Sequence, residues 1–172
     1  MLSDLLPVGF SRSQRAMATL VEREFTAAGF PLEMVAAAVV NAFAESSLNP
    51  KAIDPSGTCV GLFQLHEAGA GHGLTVEQRQ DPVTNTRRIL RVLQGYQGRP
   101  VLDALAAGVW DVAALTGLFC RHVERPARVD LAVARREALA RSLFPTLFVR
   151  PDAAPGLLPW PGGAFVVLPA AR

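Results

Sequence analysis

The chain has 172 residues, half of them hydrophobic and 19% charged, a balance that excludes intrinsic disorder and gives room for one domain with a full core. Its 17 Lys and Arg against 15 Asp and Glu leave a net charge of +2, too small to indicate a nucleic-acid partner. The first ten residues, with Asp4 among them, lack the basic-then-apolar order of an export leader. The longest charge-free run, 153–171, is broken by Pro155, Pro159, Pro161 and Pro169 and so does not read as a membrane span.

Met17, Leu20, Val21 and Phe25 recur at helical spacing, with Ser11 as cap and Gly29 as stop, which predicts a helix over 13–28. Pro31 opens a second helix running to about Ser46, with Leu32, Val35, Val39, Val40 and Phe43 on its apolar face. Residues 48–73 then hold Asn49-Pro50, Asp54-Pro55, Ser56-Gly57 and the cluster Gly69, Gly71 and Gly73, the composition of loops, with a short strand or hairpin over 60–65. Asp81-Pro82 caps a third long helix whose stripe is Ile89, Val92, Leu93 and Tyr96. A short helix follows over 101–107, another runs from Asp111 through Leu115 and Phe119 to Val123, and a last one spans 126–144. From Pro145 onward lie 6 of the 13 prolines, predicting a domain over 1–146 and an extended tail over 147–172, with one strand-like piece at 164–168.

Glu45 is the most informative residue. Eleven uncharged positions separate it from Glu33, so a buried helix delivers it to the edge of the core. Desolvation and the negative end of the helix dipole both favour the neutral, proton-donating carboxyl there. The plainer alternative is a polar residue where a helix meets solvent.

The context of Glu45 resembles a known pattern. Ala44-Glu45-Ser46-Ser47-Leu48-Asn49-Pro50, then Ala52, Ser56-Gly57 and Gly61-Leu62-Phe63-Gln64-Leu65, followed by Asp81-Pro82 and Asn85, look like the lysozyme-like soluble lytic transglycosylase family. The glycine-rich 68–73 and Val123-Glu124-Arg125-Pro126 make phage tail and virion-associated muralytic domains the most similar subgroup. The resemblance implies a mainly α, lysozyme-like α+β fold: a helical bundle with a hairpin segment forming one side of a cleft. It further implies a cofactor-free enzyme cleaving the bond between N-acetylmuramic acid and N-acetylglucosamine in peptidoglycan, carried in a virion tail or delivered to the host wall. The tail over 147–172 would dock onto neighbouring tail or baseplate proteins.

The roles implied are specific. Glu45 would be the catalytic acid, and Ser46 would bond near the acid or the sugar. Gly57 would turn the chain back beneath Glu45, and Gly61, Leu62, Phe63 and Gln64 would form a strand floor, with Gln64 touching substrate. Ser56, His72, Asn85 and Tyr96 complete the expected substrate-binding set. For Asn85, tying its helix to the hairpin is an equal alternative; for Gly61, a glycine required by the turn is another. The family's late tyrosine segment is replaced by 118–126, which leaves Glu124 as a candidate for positioning the acid. Asp54, Glu67 and Asp81 are the other carboxylates a two-acid hydrolase could use; the one-acid transglycosylase route needs none. Lysozyme-type hydrolysis and a catalytically lapsed wall-binding protein stand as alternatives.

Cys59 and Cys120 are too few for a disulfide scaffold; a bridge between them and two free thiols are both compatible with their places. His66 and His72 lack a third ligand at zinc spacing, so no metal is expected. Arg121, Arg125, Arg128, Arg135, Arg136 and Arg141 read as solvated faces of the last helices.

Overall fold

The computed structural model describes residues 2–145, apart from the side chain of Ser3; the tail over 147–172 and its strand-like piece lie outside the described residues. In chain order the elements are α1 (Leu2–Leu5), α2 (Arg12–Ala27), α3 (Leu32–Ser46), β1 (Cys59–Val60), β2 (Leu65–His66), α4 (Val76–Gln80), α5 (Pro82–Gln94), α6 (Arg99–Ala106), α7 (Val112–Phe119) and α8 (Val129–Leu143). The expected architecture, a helical bundle with a small hairpin to one side, is what forms.

Local chemistry sets the boundaries. Ser11 and Gln14 form a reciprocal capping box at the start of α2, satisfying two amides that the first turn would otherwise leave open. Asp81 accepts from Thr84 N at 2.8 Å and Pro82 follows it, so α5 starts where the sequence places it. Thr75 and Gln78 make a second capping box on α4, a helix the periodicity did not reveal.

α3 is the axis of the bundle. It packs against α2, α7 and α8, and nine successive residues, Met34 through Ala42, are buried. Phe25, Phe119 and Phe63 continue the core toward the hairpin, with ring centroids 6.5 and 6.2 Å apart.

Two helix readings need correction. The helix from Asp111 does not run unbroken to Val123: after Phe119 it widens into a π-helical turn, Cys120–Glu124, and Arg125 closes it in the left-handed region at φ 56°. That reversal and Pro126 delay α8 to Val129. Tyr96 leaves the α5 stripe because α5 stops at Gln94; it sits on a short 3-10 turn with 95% of its surface exposed.

Candidate active site

The hairpin is small and tightly tied. Cys59 pairs with His66 and Val60 with Leu65, and an isolated bridge joins Ile53 to Val60. Residues 61–64 are the turn between the strands, so the strand floor expected of them is not formed. Gly61 at φ 86° and Gln64 at φ 44° bend the chain out of the extended region. Gly57, at φ 76°, does make the expected turn, donating to Asp54 O at 2.9 Å.

Asn85 explains the hairpin's position. It is fully buried, donates from Nδ2 to Val60 O at 3.1 Å and Arg79 O at 2.7 Å, and accepts from Phe63 N at 3.0 Å. Both donors and the acceptor are thus engaged by protein, the arrangement of a side chain that ties its helix to the hairpin. Gly61 is buried against the same amide: a Cβ there would strike Asn85 Nδ2 and Arg79 O. Glycine is required there by packing and by φ. Gly61→Ala should therefore cost about 3 kcal/mol, combining left-handed strain with overpacking, measured by urea denaturation. A loss under 1 kcal/mol would mean that the hairpin does not depend on this contact.

Ser46 couples α3 to the same turn. Its Oγ lies 2.9 Å from Leu62 O and 3.0 Å from Ala42 O, and accepts from Asn49 N at 3.2 Å. Ser47 and Leu48 follow at φ 54° and 59°. The last turn of α3, which carries Glu45, is thereby fixed against the hairpin by a hydroxyl.

Glu45 was expected as a lone acid on an apolar rim; it has a partner. The guanidinium of Arg136, on α8, contacts Glu45 with one terminal nitrogen and Glu124 with the other, and donates from the latter nitrogen to Asn41 Oδ1 at 2.9 Å. Asn41 lies one turn before Glu45 on α3, buried, and donates to Ala37 O at 2.9 Å and Thr116 O at 3.3 Å. Side-chain exposures are 20% for Glu45, 9% for Arg136 and 4% for Glu124. The two carboxylates are near neighbours on one fork, and Glu45 is the one open to solvent. Glu124 Oε1 is buried and has no hydrogen-bond partner among the described residues.

Arg136 does not lie on the solvated face that the basic composition of the last helices predicts. It is buried because it shares the inward stripe of α8 with Ala140 and Leu143, and a charge on such a stripe must find partners. That stripe is the sequence signal that would have singled it out.

A groove of about 600 Å³ opens beside this cluster, between the hairpin turn, α5 and the π-turn. Phe63, Gln64, His66 and Glu124 line it; Glu45, Ser46, Ser56, His72, Asn85 and Tyr96 do not. Gln64 donates from Nε2 to Gly61 O at 2.9 Å and Ala52 O at 3.3 Å. Leu62 is wholly buried, and Phe63 reaches the groove with only its edge. Ser56 binds Asp54 and Thr58 within its loop, exposed. His72 is exposed, contributing its carbonyl to Arg88 at 2.6 Å. His66 accepts from Ala68 N at Nδ1, 3.1 Å away.

Other candidate groups have structural duties. The Ser56 hydroxyl and Cys59 N hold the Asp54 carboxyl below its ordinary range, and the Thr84 hydroxyl and amide do the same for Asp81. Glu67 is exposed beyond β2. Cys59 and Cys120 are free thiols, not bridged; burial pushes both above the ordinary thiol range, which makes them poor nucleophiles.

A buried apolar helix that ends in a half-open glutamate beside a short hairpin, all within a helical bundle, defines a lysozyme-like α+β protein. The sequence places it more closely. The chain belongs to the phage tail lysozyme family, whose model matches residues 16–147. It is accordingly a peptidoglycan-cleaving, tail-associated protein of lysozyme type. No curated protein and no solved structure matches it. Among the described residues no helix is long and apolar enough to cross a membrane.

Proposed function

We propose that the chain cleaves the β-1,4 bond between N-acetylmuramic acid and N-acetylglucosamine as a lytic transglycosylase, with Glu45 as its single acid and base. The observation that carries this reading is the Glu45–Arg136–Glu124 cluster at the end of α3: an open carboxyl held by a buried cation. Two carboxylates facing one guanidinium leave one negative charge unbalanced. Glu45, the more exposed member of the pair, is the one that can exchange a proton with a substrate.

The reaction balances with these groups alone. Glu45 donates its proton to the glycosidic oxygen as the C1–O bond of muramic acid breaks, and N-acetylglucosamine leaves with a restored 4-hydroxyl. The Glu45 carboxylate, now facing the Arg136 guanidinium, takes the proton of the muramyl 6-hydroxyl as O6 bonds to C1. The products are a 1,6-anhydromuramyl end and a glucosamine end; Glu45 is protonated again and no water is consumed. Glu124 acts as a positioning residue, fixing the fork that fixes Glu45. Asp54 and Asp81 are held by structural bonds and Glu67 lies in solvent, so none is placed to hold a hydrolytic water. The tail over 147–172 would attach this domain to other tail proteins.

One observation favours a second reading, hydrolysis: Glu124 lines the groove and neighbours Glu45, and a hydrolase needs such a pair. Digestion of purified sacculi in ¹⁸O-water separates them. Anhydromuramyl ends without label are expected; labelled reducing ends would establish the hydrolase, and no soluble fragments at all would remove both.

A further inference from the structure

The groove beside the cluster has a chemistry that glycan cleavage at Glu45 does not use. Arg91 on α5 and Arg125 on the π-turn both line it, and neither has a carboxylate or carbonyl partner among the described residues. In contrast Arg88, also at the groove, is spent on Ala70 O and His72 O at 2.6 Å each, and the one carboxylate among the described lining residues, Glu124, is taken by Arg136. Net positive charge therefore faces into the groove unanswered. Val92 and Val123 add apolar lining beside these cations, and Gln97 adds an amide. The volume of about 600 Å³ falls inside the ~300–1,000 Å³ range of small-ligand sites.

The backbone marks the same place. Gln64 and Arg125, both lining the groove, hold the left-handed conformation at φ 44° and 56°. Such strain costs of order 1–3 kcal/mol per residue and gathers at ligand clamps. At Arg125 it directs a cationic side chain to the groove instead of letting the helix continue past it.

We propose that this groove is a subsite for a short, carboxylate-bearing peptide substituent of the glycan, with Arg91 and Arg125 as its carboxylate-binding residues. Arginine presents paired N–H donors that match a carboxylate, and small apolar side chains of the peptide would rest on Val92 and Val123. This site rests on the peptidoglycan reading for the origin of its ligand, and it adds a recognition element that bare sugars cannot engage. Because Glu124 belongs both to the groove wall and to the Arg136 fork, a peptide seated there lies one guanidinium away from Glu45, and it would register the muramyl ring at the acid.

The test is calorimetric or NMR titration of the full chain with two soluble fragments. One is a muramyl-containing disaccharide tripeptide with free carboxylates, the other the same disaccharide with its lactyl carboxyl amidated. Tighter binding of the first is expected, by tenfold or more, weakening with added salt. Arg91→Gln and Arg125→Gln should each erase most of that difference while leaving the melting temperature within a few degrees. Equal affinity for both fragments, or an unchanged preference in the double variant, overturns the proposal. Since binding is read without turnover, a chain that binds the tripeptide fragment yet releases nothing from sacculi would refute the catalytic reading and leave this one standing.

Discussion

Glu45→Gln should abolish release of soluble fragments from sacculi, with a fall in rate of at least about 1,000-fold, while the protein stays folded. Loss of one proton-transferring group typically costs 10²–10⁴-fold, and in the proposed route Glu45 serves twice, first as acid and then as base. A 1,000-fold loss corresponds to about 4 kcal/mol of transition-state stabilisation. Stability should respond much less. Glutamine has the same shape, its carbonyl oxygen can still accept from Arg136, and removal of the charge leaves the guanidinium balanced one to one by Glu124. At 20% exposure the site also keeps partial solvation. A change in unfolding free energy below about 1 kcal/mol is expected. Retention of a tenth or more of the activity would exclude Glu45 as the acid, and a collapse of stability would mean the residue is mainly structural.

Much of the fold could be read because its boundaries are written in local chemistry. Ser11 with Gln14, Pro31, and Asp81 with Pro82 each satisfy or remove first-turn amides, so α2, α3 and α5 start where their sequences say. The eleven uncharged residues before Glu45 admitted only a buried helix, and α3 is one. What failed were features decided by tertiary contact. A π-turn inserts one residue without any distinctive sequence mark, so the helix after Asp111 was read straight through it. Tyr96 kept the spacing of a stripe beyond the point where Gly95 ends the helix. α4 did carry a signal, the Thr75–Gln78 capping box, in a segment too short for periodicity.

The site divides along the same line. Position and neighbourhood of Glu45 could be read, since both follow from one helix and the turn tied to it by Ser46. The individual contacts could not. An amide at Asn85 suits either a sugar or three backbone groups, and only the approach of α5 to the hairpin decides for the latter. Arg136 lies 91 residues from Glu45; no local pattern joins them, and the basic composition of the last helices concealed that one arginine faces inward. The signal was its place on the stripe of Ala140 and Leu143.

Replacing Arg136 should therefore have the second large effect, on stability and on chemistry at once, and the two can be separated. Arg136→Met leaves Glu124 buried at 4% exposure without its cation and Asn41 Oδ1 without its donor. Breaking a buried pair from one side costs about 3–5 kcal/mol, which denaturant titration should register as a clear drop in midpoint. Adding Glu124→Leu removes the stranded charge, and since apolar replacement of both partners is often neutral, most of the lost stability should return. Activity should not return, because Glu45 would then stand on α3 with no cation to orient its carboxylate or to balance it during the step. Arg136→Lys keeps the charge and loses the fork; it should retain some activity with kcat lowered more than KM is raised. If the double variant regained activity together with stability, Arg136 would be a structural brace alone, and the orientation of Glu45 would have to come from the Ser46 contact with the hairpin.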